Sequence, residues 1–201
     1  MWWKDQNEEM KENVRKLVKN GQLEFINGGW SMHDEACPLY EDMINNMKLG
    51  HDFLLKEFGV KPRIGWQVDP FGHSNTNARI FAEMGFDAWF FGRIDYQDKL
   101  NRKNDTSLEW IWFPNNDTLG KDVNIFTHTL YESYGSPYGM DFKATSLDQV
   151  IIDENSDSFN ADYKAGLLIE DVEERIKYYK TNDIIILLGS DFDYMNAFAN
   201  Y

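Results

Sequence analysis

Cysteine is almost missing from this 201-residue chain. Cys37 stands alone, which excludes an internal disulfide and says little about redox compartment. Basic residues are scarce too: 20 Lys and Arg face 34 Asp and Glu, for a net charge of −14. A phosphate backbone would be repelled, so no nucleic-acid partner is expected. No apolar stretch nears the ~20 residues that cross a bilayer, so no membrane span is expected. The opening residues Met1-Trp2-Trp3-Lys4-Asp5 do not read as a signal peptide, because no apolar run follows the charge. There is no repeat, no low-complexity tract and no clear internal boundary. A 42% hydrophobic fraction suits one sizeable core, so residues 1–201 read as a single segment.

Aromatic residues are plentiful, at 15% with seven Trp and ten Tyr. Their faces suit sugar rings, and they suit ordinary cores equally well. Asn104-Asp105-Thr106 and Asn116-Asp117-Thr118 match the N-glycosylation acceptor pattern and fit a secretory route.

Taken in order, apolar residues from Trp3 to Lys19 fall on one helical stripe, with acids early and bases late. Leu23–Ile26 reads as a short strand, broken by Asn27-Gly28-Gly29-Trp30. Pro38 opens a second helix with a seam from Tyr40 to Phe58, closed by Gly59. His51, on that seam, reads as a hydrogen-bonded core or boundary histidine. Arg63–Val68 is a strand, Ile80, Phe81 and Met84 mark a short helix, and Phe86–Gly92 is a further strand. Lys99–Ser107 reads as a polar surface loop. Glu109–Phe113 and Asn124–Leu130 read as strands, and Ser133–Asp162 as a long loop. A helix follows over Tyr163–Lys180. Ile184–Leu188 then reads as a strand covered on both faces.

Strands alternating with helices argue for an α/β fold with a parallel sheet or barrel. The chain is organised around Ile64-Gly65-Trp66-Gln67-Val68-Asp69-Pro70-Phe71-Gly72-His73-Ser74. Its apolar run stops at a carboxylate, and Pro70 removes a backbone donor. Asp69 is thereby presented at the C-terminal tip of a strand, where a parallel barrel places its reacting groups. On the same reasoning Trp30, Arg93, Tyr131, Tyr134 and Asp191 follow other strands and gather on one rim. Two carboxylates, a guanidinium and aromatics on one rim suit glycoside chemistry.

Five blocks carry a resemblance. Asn27-Gly28-Gly29-Trp30, Met32 and Asp34-Glu35-Ala36 form the first, and Asp69-Pro70-Phe71-Gly72-His73-Ser74 the second. Phe90-Phe91-Gly92-Arg93-Ile94-Asp95-Tyr96-Gln97-Asp98-Lys99 is the third. Tyr178-Tyr179-Lys180-Thr181-Asn182 and Leu188-Gly189-Ser190-Asp191-Phe192 complete the set. In this order they resemble the class II α-mannosidases, glycoside hydrolase family 38, and the third block is similar to the lysosomal branch.

The resemblance implies a partial (β/α)7-type barrel with mostly parallel strands, incomplete at both ends. It implies retaining, zinc-dependent hydrolysis of terminal α-linked mannose from oligosaccharides or glycoprotein glycans, in the lysosome or secretory pathway. By match, Asp69 is the nucleophile and a zinc ligand, Asp191 is the acid/base, and Arg93 and Tyr134 contact substrate. The family binds one zinc ion through two Asp and two His. No His-x-Asp triplet occurs here, so Asp69 is the one expected ligand. His73 is expected to position the nucleophile loop rather than to bind metal. The chain alone is therefore expected to be inactive unless it associates with missing parts of the catalytic domain. The alternative is a non-catalytic pseudoenzyme or sugar-binding remnant.

Overall fold

The computed structural model describes residues 2–141 and 149–195. Seven α-helices and four strands follow in order: α1 Trp2–Asp5, α2 Glu8–Lys19, α3 Tyr40–Phe58, β1 Ile64–Gln67, α4 Asn75–Glu83, β2 Ala88–Phe91 and α5 Tyr96–Asn104 come first. Then come β3 Glu109–Trp112, α6 Asn116–Leu119, β4 Ile125–Thr129 and α7 Ala161–Arg175, with a 3-10 turn over Ile176–Tyr178. The strands form one open sheet in the order β1-β2-β4-β3, and β1 and β2 pair in parallel. The α/β class and the unclosed sheet thus match expectation. Two compact units are present: residues 1–93 with 110–128, and residues 94–109 with 129–201.

In the first unit the core is aromatic. Phe81, Trp89 and Phe91 are almost fully buried, and Trp89 stacks on Trp112 at 5.4 Å between centroids. Gly65 in β1 leaves room for Phe81, whose ring would lie 2.7 Å from a Cβ there. Helix α3 ends at Gly59, which takes the left-handed conformation that the sequence assigned to a cap (φ 72°). His51 Nε2–H donates to the Asn27 carbonyl at 2.8 Å, the boundary role expected for it. In the second unit, Leu108, Leu130, Met140 and Tyr179 are buried, and the Tyr179 hydroxyl donates to the Thr129 carbonyl.

Several sequence expectations are corrected. Leu23–Ile26 is not a strand: Leu23 and Ile26 are exposed, and the sheet contact falls to Asn27 instead. The Asn27 N–H donates to the Ile64 carbonyl, and its side-chain Oδ1 accepts from Trp66 N–H. One residue thus closes the β1 edge with backbone and side chain together, and no ladder forms. Trp30 consequently follows a turn rather than a strand and is 68% exposed. Lys99–Asn104 is helical, within α5, rather than loop. That helix buries no residue. It is held by Asp95, whose carboxylate accepts from Gln97 and Asp98 N–H, and by the Asp98–Arg102 ion pair one turn on. Ile184–Leu188 is irregular chain, half-buried at residues 184–187 and exposed at Leu188, and no strand among the described residues pairs with it. The long loop expected over Ser133–Asp162 falls partly on residues 142–148, outside the described residues. Helix α7 starts at Ala161 and ends at Arg175, short of Lys180.

Candidate active site

Asp69 and Arg93 meet because of sheet register. Parallel pairing runs from Ile64 opposite Ala88 to Gln67 opposite Phe91. Asp69 and Arg93 each lie two residues past the last pair, in the chain that leaves its strand, so the register brings them to the same level. Arg93 Nη2 donates to Asp69 Oδ1 at 2.8 Å. The guanidinium also lies over the Phe71 ring, 5.0 Å from its centroid. Both members of the pair are about half exposed, at 46% for Arg93 and 52% for Asp69, so the carboxylate is presented to solvent rather than spent on the core.

Behind this exposed pair the 69–74 segment is anchored. His73 is buried, stacked on Phe91 at 3.9 Å and edge-on to Trp89. Its Nδ1–H donates to Glu35 Oε1 at 2.8 Å, and Ser74 N–H donates to Glu35 Oε2 at 2.8 Å. Ser74 in turn caps α4 by accepting from Asn77 N–H. His33 Nε2 meets Asn77 Oδ1 at 2.8 Å, and the His33 carbonyl accepts from Gln67. Residues 33–35 alternate inward and outward, so His33 and Glu35 face the loop while the carboxylate of Asp34 folds onto the Ala36 and Cys37 N–H groups. Those bonds, Cys37's foremost, hold the Asp34 carboxyl below its usual range.

The second unit places the other two expected residues together. Tyr134 Oη donates to Asp191 Oδ1 at 3.3 Å, and Gly189 N–H donates to Ser136 Oγ at 3.2 Å. These two bonds tie the Asp191 segment to the Tyr134 loop. Beside them opens a cavity of about 500 Å³ lined by Tyr131, Tyr134, Ser136, Tyr138, Glu170 and Arg175. That lies within the ~300–1,000 Å³ of small-molecule sites. The Lys103 ammonium sits over the Tyr131 ring, 3.5 Å from its centroid. Burial pulls the nearby Lys99 ammonium down to about 8 and pushes the Tyr131 phenol up.

The sequence matches, over residues 1–201, the family described as "Glycosyl hydrolases family 38 N-terminal domain". The chain belongs to glycosyl hydrolase family 38. It is 43% identical over 200 residues to a lysosomal alpha-mannosidase of Dictyostelium discoideum, covering 100% of this chain and 20% of that protein. It is 39% identical over 199 residues to the lysosomal alpha-mannosidase of Homo sapiens, covering 98% of this chain and 20% of that one. The chain thus spans about a fifth of the length of these curated relatives. An alpha-mannosidase structure from Enterococcus faecalis V583 shares the fold, with TM-score 0.62 and 21% identity, over 92% of this chain and 18% of that one.

The zinc ion that the resemblance implied can be tested against the residues present. Among the described residues, no three His, Cys, Asp or Glu side chains converge as a metal site. His33, His51 and His73 are engaged with Asn77, Asn27 and Glu35, and the His128 ring stacks on Phe90 at 4.7 Å. Zinc takes three or four protein ligands. The one expected ligand, Asp69, does not by itself fit the ion. Glu35 is the site residue that sequence reasoning missed. It stood inside a family block with no sign of its partner, 38 residues away.

Proposed function

We propose that this chain supplies the paired carboxylates of a retaining α-mannosidase acting on terminal α-linked mannose of oligosaccharides or glycoprotein glycans. Asp69 attacks the anomeric carbon and forms a covalent glycosyl ester, while Asp191 gives a proton to the departing oxygen. Asp191 then takes a proton from water, which attacks the same carbon and frees mannose and Asp69. Arg93 fixes the plane of the attacking carboxylate through Oδ1, and Tyr134 orients Asp191. The reading rests on family membership joined to the register-set contact of Asp69 with Arg93. In the same reading Asp69 would be one ligand of a zinc ion that steadies the sugar hydroxyls, and no step above runs through it. The lysosome or secretory route of the relatives is the proposed location.

The test replaces the matching fifth of the Dictyostelium enzyme with these 201 residues. A fluorinated mannosyl fluoride that slows ester breakdown is then added. The expected outcome is a single fluoromannosyl group on the peptide containing Asp69, seen by mass spectrometry. Labelling elsewhere, or none alongside undetectable p-nitrophenyl α-mannoside hydrolysis, would favour the non-catalytic sugar-binding remnant.

A further inference from the structure

We propose that Glu35 is the positioning residue of the nucleophile loop, its buried carboxylate setting where Asp69 stands against Arg93. The proposal rests on the α-mannosidase reading and adds to it a residue that touches neither sugar nor leaving group.

The side chain of Glu35 is 1% exposed. A carboxylate that deep is costly unless both oxygens are satisfied. Each oxygen takes a hydrogen from the nucleophile segment: Oε1 from His73 Nδ1–H and Oε2 from Ser74 N–H, both at 2.8 Å. The loop that carries Asp69 leaves β1 after Gln67 and enters α4 at Asn75. Its near end is set by the β1–β2 ladder, and Glu35 sets its far end.

A second connection reaches Arg93. The His73 ring that Glu35 orients stacks face to face on Phe91, the last ladder residue of β2 and two residues before Arg93. Glu35 therefore acts on both halves of the ion pair: through Ser74 on the loop of Asp69, and through His73 on the strand that delivers Arg93. Glu35 is itself braced, because His33 is bonded to Asn77 and Gln67 on either side of the loop. A carboxylate meets the two donors with one oxygen each. An amide in its place offers one acceptor and turns an N–H toward the other donor.

The experiment uses the same chimaera, unaltered and with Glu35→Gln, each first checked by circular dichroism to be folded at the assay temperature. The expected result is a kcat about 100-fold lower, the scale of a ~1 Å misplacement of reacting groups. KM should stay within about threefold. The loss should be equal for p-nitrophenyl and 2,4-dinitrophenyl α-mannoside, since a misplaced nucleophile is not relieved by a better leaving group. Asp191→Ala, the contrast, should recover with the dinitrophenyl substrate. If Glu35→Gln does not fold, Glu35→Asp keeps the charge and withdraws it by one methylene, with the same expected split. A folded variant with kcat within threefold of the unaltered chimaera overturns the proposal while leaving the α-mannosidase reading intact. An unaltered chimaera that neither turns over nor labels Asp69 overturns both.

Discussion

Asp69→Asn in the chimaera is expected to lower kcat by roughly 10⁴- to 10⁶-fold, the loss seen when one member of a catalytic unit is removed. The amide is isosteric and keeps an oxygen for Arg93 Nη2, so the loop has no reason to move. What disappears is the negative charge to which the proposed mechanism gives the attack on the anomeric carbon. Stability should hardly change. The Asp69–Arg93 pair is about half exposed, and such pairs contribute about 0–1 kcal/mol. Urea unfolding and steady-state kinetics on one preparation separate the two effects. A variant that keeps a tenth of the activity, or one that loses activity because it unfolds, would remove Asp69 from the nucleophile role.

The largest expected effect on folding is Gly50→Ala. Gly50 lies inside α3, where propensity alone favours Ala by roughly 1 kcal/mol. Geometry reverses the sign. A Cβ at Gly50 would stand 1.9 Å from the Gly28 carbonyl oxygen, 2.5 Å from the Gly29 carbonyl carbon and 2.8 Å from Trp30 N. All three are backbone atoms, which no rotamer change can withdraw. The contact exists because Trp30 N–H donates to the Asn46 carbonyl and Asn46 bonds Ser31, drawing the 28–31 segment onto α3. We expect a loss of at least about 3 kcal/mol, the upper range for overpacking, measured by chemical denaturation of the 201-residue chain. Gly166→Ala in α7 is the control. Nothing lies within 4 Å of its Cβ, and it should gain up to about 1 kcal/mol. A Gly50→Ala chain as stable as the unaltered one would show that the 28–31 segment does not sit on α3.

These two positions also mark what the sequence discloses and what it hides. The tip position of Asp69 is legible because an apolar run ends there and Pro70 follows. Arg93 is legible because it ends the next apolar run, and parallel register does the rest. The sequence places Tyr134 and Asp191 on the rim as residues that follow strands, and their roles come from the resemblance. Tyr134 does follow β4, Asp191 follows irregular chain instead of a strand, and the two are bonded to each other. Glu35 was hidden because a buried carboxylate looks like any surface acid until its partners are known. Apolar runs misled twice, at Leu23–Ile26 and Ile184–Leu188: neither is a strand of the sheet, and Leu23, Ile26 and Leu188 are exposed. Helix α5 misled in the opposite direction. With no buried face it has no periodic signal, and its cap and ion pair carry it. The brace formed by residues 33–35 has the period-2 alternation of a strand over too few residues to be recognised.

The central proposal is that Asp69 serves as the nucleophile and Asp191 as the acid/base of a retaining mannosidase. Azide rescue measures this most directly, with products identified by NMR in two chimaeras, Asp69→Gly and Asp191→Ala. An azide ion takes the place of whichever carboxylate was removed. The account predicts β-mannosyl azide from Asp69→Gly with α-mannosyl fluoride, and α-mannosyl azide from Asp191→Ala with 2,4-dinitrophenyl α-mannoside. The same anomer from both, or the two reversed, would contradict it.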